Sequence, residues 1–159
     1  YLADQQNWPD LRDLNGDPTH YRDHHNHLRA WCHGAPGIAL SRWLMGPIWP
    51  DTELERELAE AFHSTLAHPL SLNMSICHGL LGNLWIADRI AAHFENRDGQ
   101  HKVREQLQQF GGLIDNDRPP SGLPHQLHSP TLFNGIAGMG LALLAMMGHS
   151  VPCPLWLEI

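Results

Sequence analysis

One short phrase occurs three times in this chain, and each copy opens an apolar run. Every copy places two glycines three residues apart, and the first glycines of successive copies are 45 and 56 residues apart. Repeats of this length are typical of stacked supersecondary units, in which each unit buries its apolar face against its neighbours. The three copies are His33-Gly34-Ala35-Pro36-Gly37, His78-Gly79-Leu80-Leu81-Gly82 and Asn134-Gly135-Ile136-Ala137-Gly138.

Helical patterns of two kinds alternate along the chain. After a capping-box pattern, Thr52-Glu53-Leu54-Glu55, apolar residues recur every three or four positions, which predicts an outer helix that buries one face. A second such helix ends at Gly111-Gly112. The apolar positions are Leu54, Leu58, Phe62 and Leu66 in the first and Val103, Leu107 and Phe110 in the second. The segments that follow the repeated phrases are apolar nearly all round, which predicts inner helices over Ile38 to Leu44, Leu80 to Ala92 and Ile136 to Met147.

The alternation of inner and outer helices predicts an all-α fold, a partial α/α toroid built from helical hairpins. Glycines suit the start of each inner helix, because a residue without Cβ lets backbones approach closely. Three units are too few to close a ring. The chain also begins at Tyr1 without a methionine and moves into the turn-like stretch Asn7-Trp8-Pro9-Asp10. We therefore expect a fragment, with the remaining units of the toroid upstream.

Charge and composition exclude several classes of partner. The formal net charge is −7, and the ten Lys and Arg residues are not clustered, which argues against a nucleic acid or an anionic membrane as the main partner. No segment is long and apolar enough to predict a membrane span. The three cysteines cannot all pair with one another, so we expect reduced thiols and a cytoplasmic location.

Two of the cysteines occupy equivalent places in adjacent repeats. Cys32 precedes His33-Gly34, and Cys77 precedes His78-Gly79. Thiolate and imidazole are the ligands that zinc prefers, and a catalytic zinc keeps one position open beyond three protein ligands. The spacing is not that of a zinc finger, and a free cysteine is also commonly a small buried apolar side chain. The shared register is what favours a metal site at Cys32, Cys77 and His78.

The repeated motifs resemble those of the LanC-type lanthionine cyclases, and the His that follows Trp-Cys makes them most similar to the C-terminal cyclase domain of class II lanthipeptide synthetases. The resemblance spans nearly the whole chain, and it implies that residues 1–159 are the C-terminal part of such a domain, with units opening near 33, 78 and 134. It also implies a central zinc held by Cys32, Cys77 and His78. The segments that carry it are Trp31-Cys32-His33-Gly34-Ala35-Pro36-Gly37-Ile38, Cys77-His78-Gly79, Asn134-Gly135-Ile136-Ala137-Gly138 and Asn7-Trp8-Pro9-Asp10-Leu11.

The resemblance implies a reaction and a partner. Its substrate is a dehydrated, ribosomally made precursor peptide, in which a Cys thiol adds to dehydroalanine or dehydrobutyrine to form a thioether ring. A thiol with a pKa of about 8.5 is a poor nucleophile until it loses its proton, which zinc promotes. Two alternatives remain open: a LanC-like zinc protein that binds or adds other thiols such as glutathione, and a noncatalytic peptide-binding module.

Other histidines and cysteines have less specific interpretations. His33 follows a proposed ligand directly and is the candidate proton donor, although it can equally brace the site by hydrogen bonding. Arg29 lies near Cys32, where the family often has an arginine, but its register is shifted by one residue. We interpret Cys153 as structural. A cluster of polar loop histidines could bind a metal weakly, but we interpret it as solvated or as lining the mouth of the pocket: His20, His24, His25 and His27.

Overall fold

The computed structural model describes residues 1–9, 28–68, 73–111, 119–121 and 123–156. Within these ranges the regular structure is helical, with two short 3₁₀ turns at Pro124–Gln126 and Pro154–Trp156 and no β-strand. The predicted all-α class is therefore confirmed. The α-helices are α1 (Ala35–Met45), α2 (Thr52–Ala67), α3 (Leu80–His93), α4 (Arg97–Gly111) and α5 (Ile136–Met146).

Helix α3 lies at the centre of the packing. Ten of its 14 residues are buried, because α1 and α5 pack on it within the inner layer and α2 and α4 cover it from outside. The sequence pattern explains this arrangement, since α3 is apolar nearly all round whereas α2 and α4 carry charged residues on one side. The predicted alternation of inner and outer helices is confirmed.

One side of α5 is exposed. Ile136 and Leu144 lie on one stripe of this helix together with its C-cap residue Met147, which is 74% exposed. In a repeat array an apolar stripe of this kind packs against a neighbouring unit. Helix α5 therefore presents an apolar flank suited to packing against another unit.

The start of α2 differs from the capping-box prediction by one residue. Asp51 is the N-cap, and its carboxylate accepts a hydrogen bond from the Glu53 N–H at 2.7 Å. Thr52 is therefore the first helical residue, and the prediction that it caps the helix is wrong. Asp is at least as good an N-cap as Thr, and its negative charge is also favourable at a helix N-terminus.

The second glycine of each repeated phrase lies directly beneath the preceding loop. An added Cβ would be within 2.3 Å of the carbonyl oxygen six residues earlier in all three units, far closer than real Cβ contacts. The glycines thus let each loop fold back over the first turn of its helix, and they impose one loop geometry on all three units. The pairs are Gly37 with Trp31, Gly82 with Ile76 and Gly138 with Leu132.

We expect Gly82→Ala to destabilise the protein by about 3 kcal/mol, because the new methyl group would overlap the backbone carbonyl of the fully buried Ile76. Gly140→Ala is the matched control. Gly140 also lies inside a helix, but nothing surrounds it within 4 Å, so we expect a gain of about 0.5–1 kcal/mol from helix propensity alone. Urea denaturation measures both changes. Similar effects of the two substitutions would contradict the role assigned to Gly82.

Candidate metal centre

Backbone hydrogen bonds join the three loops at the same position. The Cys32 N–H donates to the Cys77 carbonyl at 3.3 Å, and the Cys77 N–H donates to the Phe133 carbonyl at 3.0 Å. Each of these residues stands two places before the first glycine of its repeated phrase. Each unit is therefore linked to the next through equivalent residues, and the two cysteines become neighbours although 45 residues separate them.

The side chains of Cys32, Cys77 and His78 converge. One ligand atom from each, a sulfur or a ring nitrogen, lies within 4.8 Å of the other two. Tetrahedral zinc with bonds of about 2.0–2.3 Å needs such donors about 3.3–3.8 Å apart, so small side-chain shifts complete the site. Cys77 and His78 are half-buried, whereas Cys32 is exposed. The donor set therefore suits Zn²⁺ and is open to a further ligand beside Cys32.

Burial sets the charge state of the half-buried thiol. Burial, together with a smaller contribution from the neighbouring Cys32 sulfur, raises the pKa of Cys77 to about 11. Without a cation beside it, this thiol keeps its proton at neutral pH. A metal ion that binds here must displace that proton.

We expect the apparent affinity of the metal-free protein for zinc to increase as the pH rises from about 6 to about 8, because protons and the metal compete for the same sulfur atoms. The sign follows from Cys77, whose raised pKa keeps the proton bound across this range. Competition with a chromophoric chelator at each pH measures the affinity. Calorimetry in buffers of different ionisation enthalpy counts the released protons, and binding without proton release would contradict thiolate ligation.

The first loop is built around a side chain from the N-terminal segment. Asn7 is fully buried; its Oδ1 accepts a hydrogen bond from the Ala35 N–H at 2.8 Å, and its Nδ2 donates to the Leu28 carbonyl at 3.3 Å. In the other units the equivalent amide donates directly to a loop carbonyl, Leu80 to Asn73 at 2.7 Å and Ile136 to Ser129 at 2.9 Å. The Asn7 side chain thus bridges Ala35 and Leu28, where the other units have a direct backbone hydrogen bond, and it holds the loop that carries Cys32 in place.

Arg29 holds neighbouring elements together close to Cys32. Its Nε donates to the Ser64 hydroxyl at 3.2 Å, a terminal nitrogen donates to the Gln5 carbonyl, and its own carbonyl accepts from Asn83 Nδ2 at 2.8 Å. Burial lowers the pKa of this guanidinium from its usual value. These contacts join the N-terminal segment, α2 and α3 behind the first loop. Arg29 therefore has a structural role, because its guanidinium group contacts two of these elements at once.

The other histidines and the third cysteine singled out in the sequence do not join the donor cluster within the described residues. His33 is half-buried and stays outside the donor cluster, although its position is equivalent to that of His78. Its backbone pairs with Ala30 through hydrogen bonds of 2.7 and 3.1 Å. Cys153 is 1% exposed in the main apolar core, as its structural interpretation requires. The four loop histidines from His20 to His27 lie outside the described residues.

Sequence reasoning missed Phe133, whose ring stacks on Trp31 beside the candidate metal centre. The rings of Trp31 and Phe133 stack at 5.4 Å with an interplanar angle of 19°, and Trp31 Nε1 donates to the Leu155 carbonyl at 3.0 Å. Trp31 adjoins Cys32, and the Phe133 carbonyl accepts the Cys77 N–H. Phe133 fills the place that cysteine has in the other units, so an alignment of the three repeats identifies it.

Comparison with known proteins assigns the family. A family model described as lanthionine synthetase C-like protein matches residues 1–155. The chain belongs to the LanC-like family. This LanC-like chain is also 29% identical over 127 residues to the lacticin 481/lactococcin biosynthesis protein LcnDR2 of Lactococcus lactis subsp. lactis. The alignment covers 72% of the chain but 14% of that relative, so the chain spans a small part of the length of that relative.

Of the described helices, none has both the length and the apolarity needed to cross a bilayer.

Proposed function

We propose that this LanC-like chain is part of a zinc-dependent lanthionine cyclase. The observation that carries the proposal is the convergence of Cys32, Cys77 and His78, which come from neighbouring repeats and supply a zinc-type donor set. The substrate is a dehydrated precursor peptide, in line with the lantibiotic relative. We further propose that residues 1–159 form the C-terminal part of a cytoplasmic cyclase domain, which the upstream part of a class II synthetase completes.

The reaction forms one carbon–sulfur bond and moves one proton. Zinc held by the three donors would act as a Lewis acid that lowers the pKa of a substrate thiol. The sulfur adds to the β-carbon of a dehydroamino acid, and the α-carbon then takes a proton. We assign that proton to His33, which follows Cys32 directly and whose imidazole can donate a proton. Stacked Trp31 and Phe133 provide an apolar surface beside the exposed Cys32.

A thiol-alkylation assay tests this function in the full-length protein. The protein is incubated with dehydrated precursor peptide, with zinc or after treatment with a chelator, and the peptide is then alkylated and weighed by mass spectrometry. We expect the zinc-loaded protein to protect the peptide cysteines at a rate above the spontaneous reaction, and the chelated protein to lose this excess.

The same assay distinguishes the two alternatives. Addition of glutathione to the dehydrated peptide would increase its mass by one glutathione for each modified residue, and this would indicate an enzyme that uses other thiols. Saturable binding of the peptide without any protected cysteine would indicate a noncatalytic peptide-binding module. Either result in the zinc-loaded protein would contradict the cyclase assignment.

A further inference from the structure

A second concave site lies at the opposite end of the inner helices. It is a cavity of about 530 Å³ between the C-terminal half of α1, helix α2 and the C-terminal end of α3. We call it the α1–α2 cavity. The metal centre lies before the N-terminus of α1, which has 11 residues and is therefore about 16 Å long. Apolar side chains form most of the cavity wall: Trp43, Leu54, Leu58, Phe62, Ile90 and Phe94.

Exposed apolar residues lie in and next to the segments that line this cavity. Pro47 and Pro50 line it, and between them Ile48 and Trp49 are 83% and 66% exposed. Phe94, on the α3 side, is 56% exposed. Single apolar residues on a surface are ordinary, but a cluster of them around a volume of this size is typical of a binding site for another molecule.

The charge around the cavity is negative. Residues 51–67 contain five carboxylates and a single arginine, Arg56. Arg56 pairs with Glu53 and Glu60, and Arg42 in the cavity wall pairs with Glu57 at 2.5 Å. The carboxylates that remain in the wall are Asp51 and Glu55, which form no ion pair within the described part of the chain.

This distribution of charge selects among possible occupants. A second copy of the chain placed symmetrically on this face would bring acidic rim against acidic rim, which is unfavourable. An anionic lipid surface would be repelled for the same reason. A cationic partner gains from the unpaired carboxylates, while the apolar wall requires that it also carry aliphatic or aromatic side chains.

We propose that the α1–α2 cavity is a docking site for a basic amphipathic peptide segment. Its apolar side chains, spaced three and four residues apart on one helical face, enter the cavity and contact the exposed loop at Trp49. Its lysine or arginine side chains meet Asp51 and Glu55 at the mouth. This site is separate from the metal centre and goes beyond ring formation.

Two designed peptides test the site in the full-length protein. Both carry leucine at positions i, i+3, i+4 and i+7, and the remaining positions are lysine-rich in one and glutamate-rich in the other. We expect calorimetry to show saturable binding of the lysine peptide with 1:1 stoichiometry, at least about tenfold tighter than that of the glutamate peptide and weaker at high salt. Absence of saturable binding, or equal affinity for the two peptides, would overturn the proposal.

Surface variants locate the binding. We expect Trp49→Ala and Glu55→Lys each to weaken the lysine peptide at least about fivefold. Met147→Ala is the matched control, because Met147 is a comparably exposed apolar residue at the C-cap of α5 and its substitution should leave the affinity unchanged. All three positions are exposed, so the variants should fold and keep their zinc. Equal effects of Trp49→Ala and Met147→Ala, or a dimer that Trp49→Ala dissolves, would refute this assignment.

Discussion

We expect the Cys32→Ala variant of the full-length protein to lose its zinc and to stop forming thioether rings, while any dehydration of the precursor peptide by an upstream domain continues. Two ligand atoms remain after this substitution, and two ligands hold zinc far more weakly than three. Such a dehydration would not use the thiol-activating site. Zinc analysis together with mass spectrometry after thiol alkylation measures both effects, since each lost water lowers the peptide mass and each free Cys gains the alkylating group.

Cys153→Ala is the control for this experiment. This substitution also removes a thiol, but Cys153 lies in the core, is 1% exposed and is outside the donor cluster. We therefore expect a loss of stability without a loss of zinc. If Cys32→Ala keeps its zinc, or if it still protects the peptide cysteines faster than the spontaneous reaction, the metal centre and its mechanism are both wrong.

The repeat made the site predictable. Because each Gly-x-x-Gly phrase requires the chain to pass closely over its helix, residues at the same distance from the glycines occupy equivalent places in space. That register predicts that Cys32 and Cys77 meet, and the hydrogen bonds from Cys32 to Cys77 and from Cys77 to Phe133 provide the physical connection. The apolar periodicity similarly predicts which helices lie inside and which lie outside.

Other features could not be predicted because they depend on partners far away in the sequence. Asn7 enters the first loop from a segment 28 residues before its bonding partner Ala35, and no local pattern indicates that contact. The cavity beside the exposed apolar loop at Ile48 and Trp49 also could not be predicted, because three helices, α1, α2 and α3, enclose it together. The α2 cap shifted by one residue because adjacent Asp51 and Thr52 are both acceptable N-caps, so tertiary packing decides between them.

The sharpest distinction that we expect is between two histidines at equivalent positions. His78→Ala should lose zinc and ring formation together, because His78 belongs to the donor cluster. His33→Ala should keep its zinc and lower the rate of ring formation by about 10²–10⁴, since it removes a proton donor that water replaces in part. Zinc content and alkylation rate, measured on the same preparations, separate the two variants.

The pH dependence of the residual activity decides what His33 does. In the unmodified protein the rate should fall as the pH rises through the pKa of the proton donor, because the imidazole must be protonated to act. In His33→Ala that fall should disappear, whereas a residue that only braces the loop would lower the rate at every pH alike. Loss of zinc from His33→Ala to the same extent as from His78→Ala would assign His33 a bracing role. A preserved metal with an altered pH profile would show that one repeated position supplies a ligand in one unit and an acid in the other.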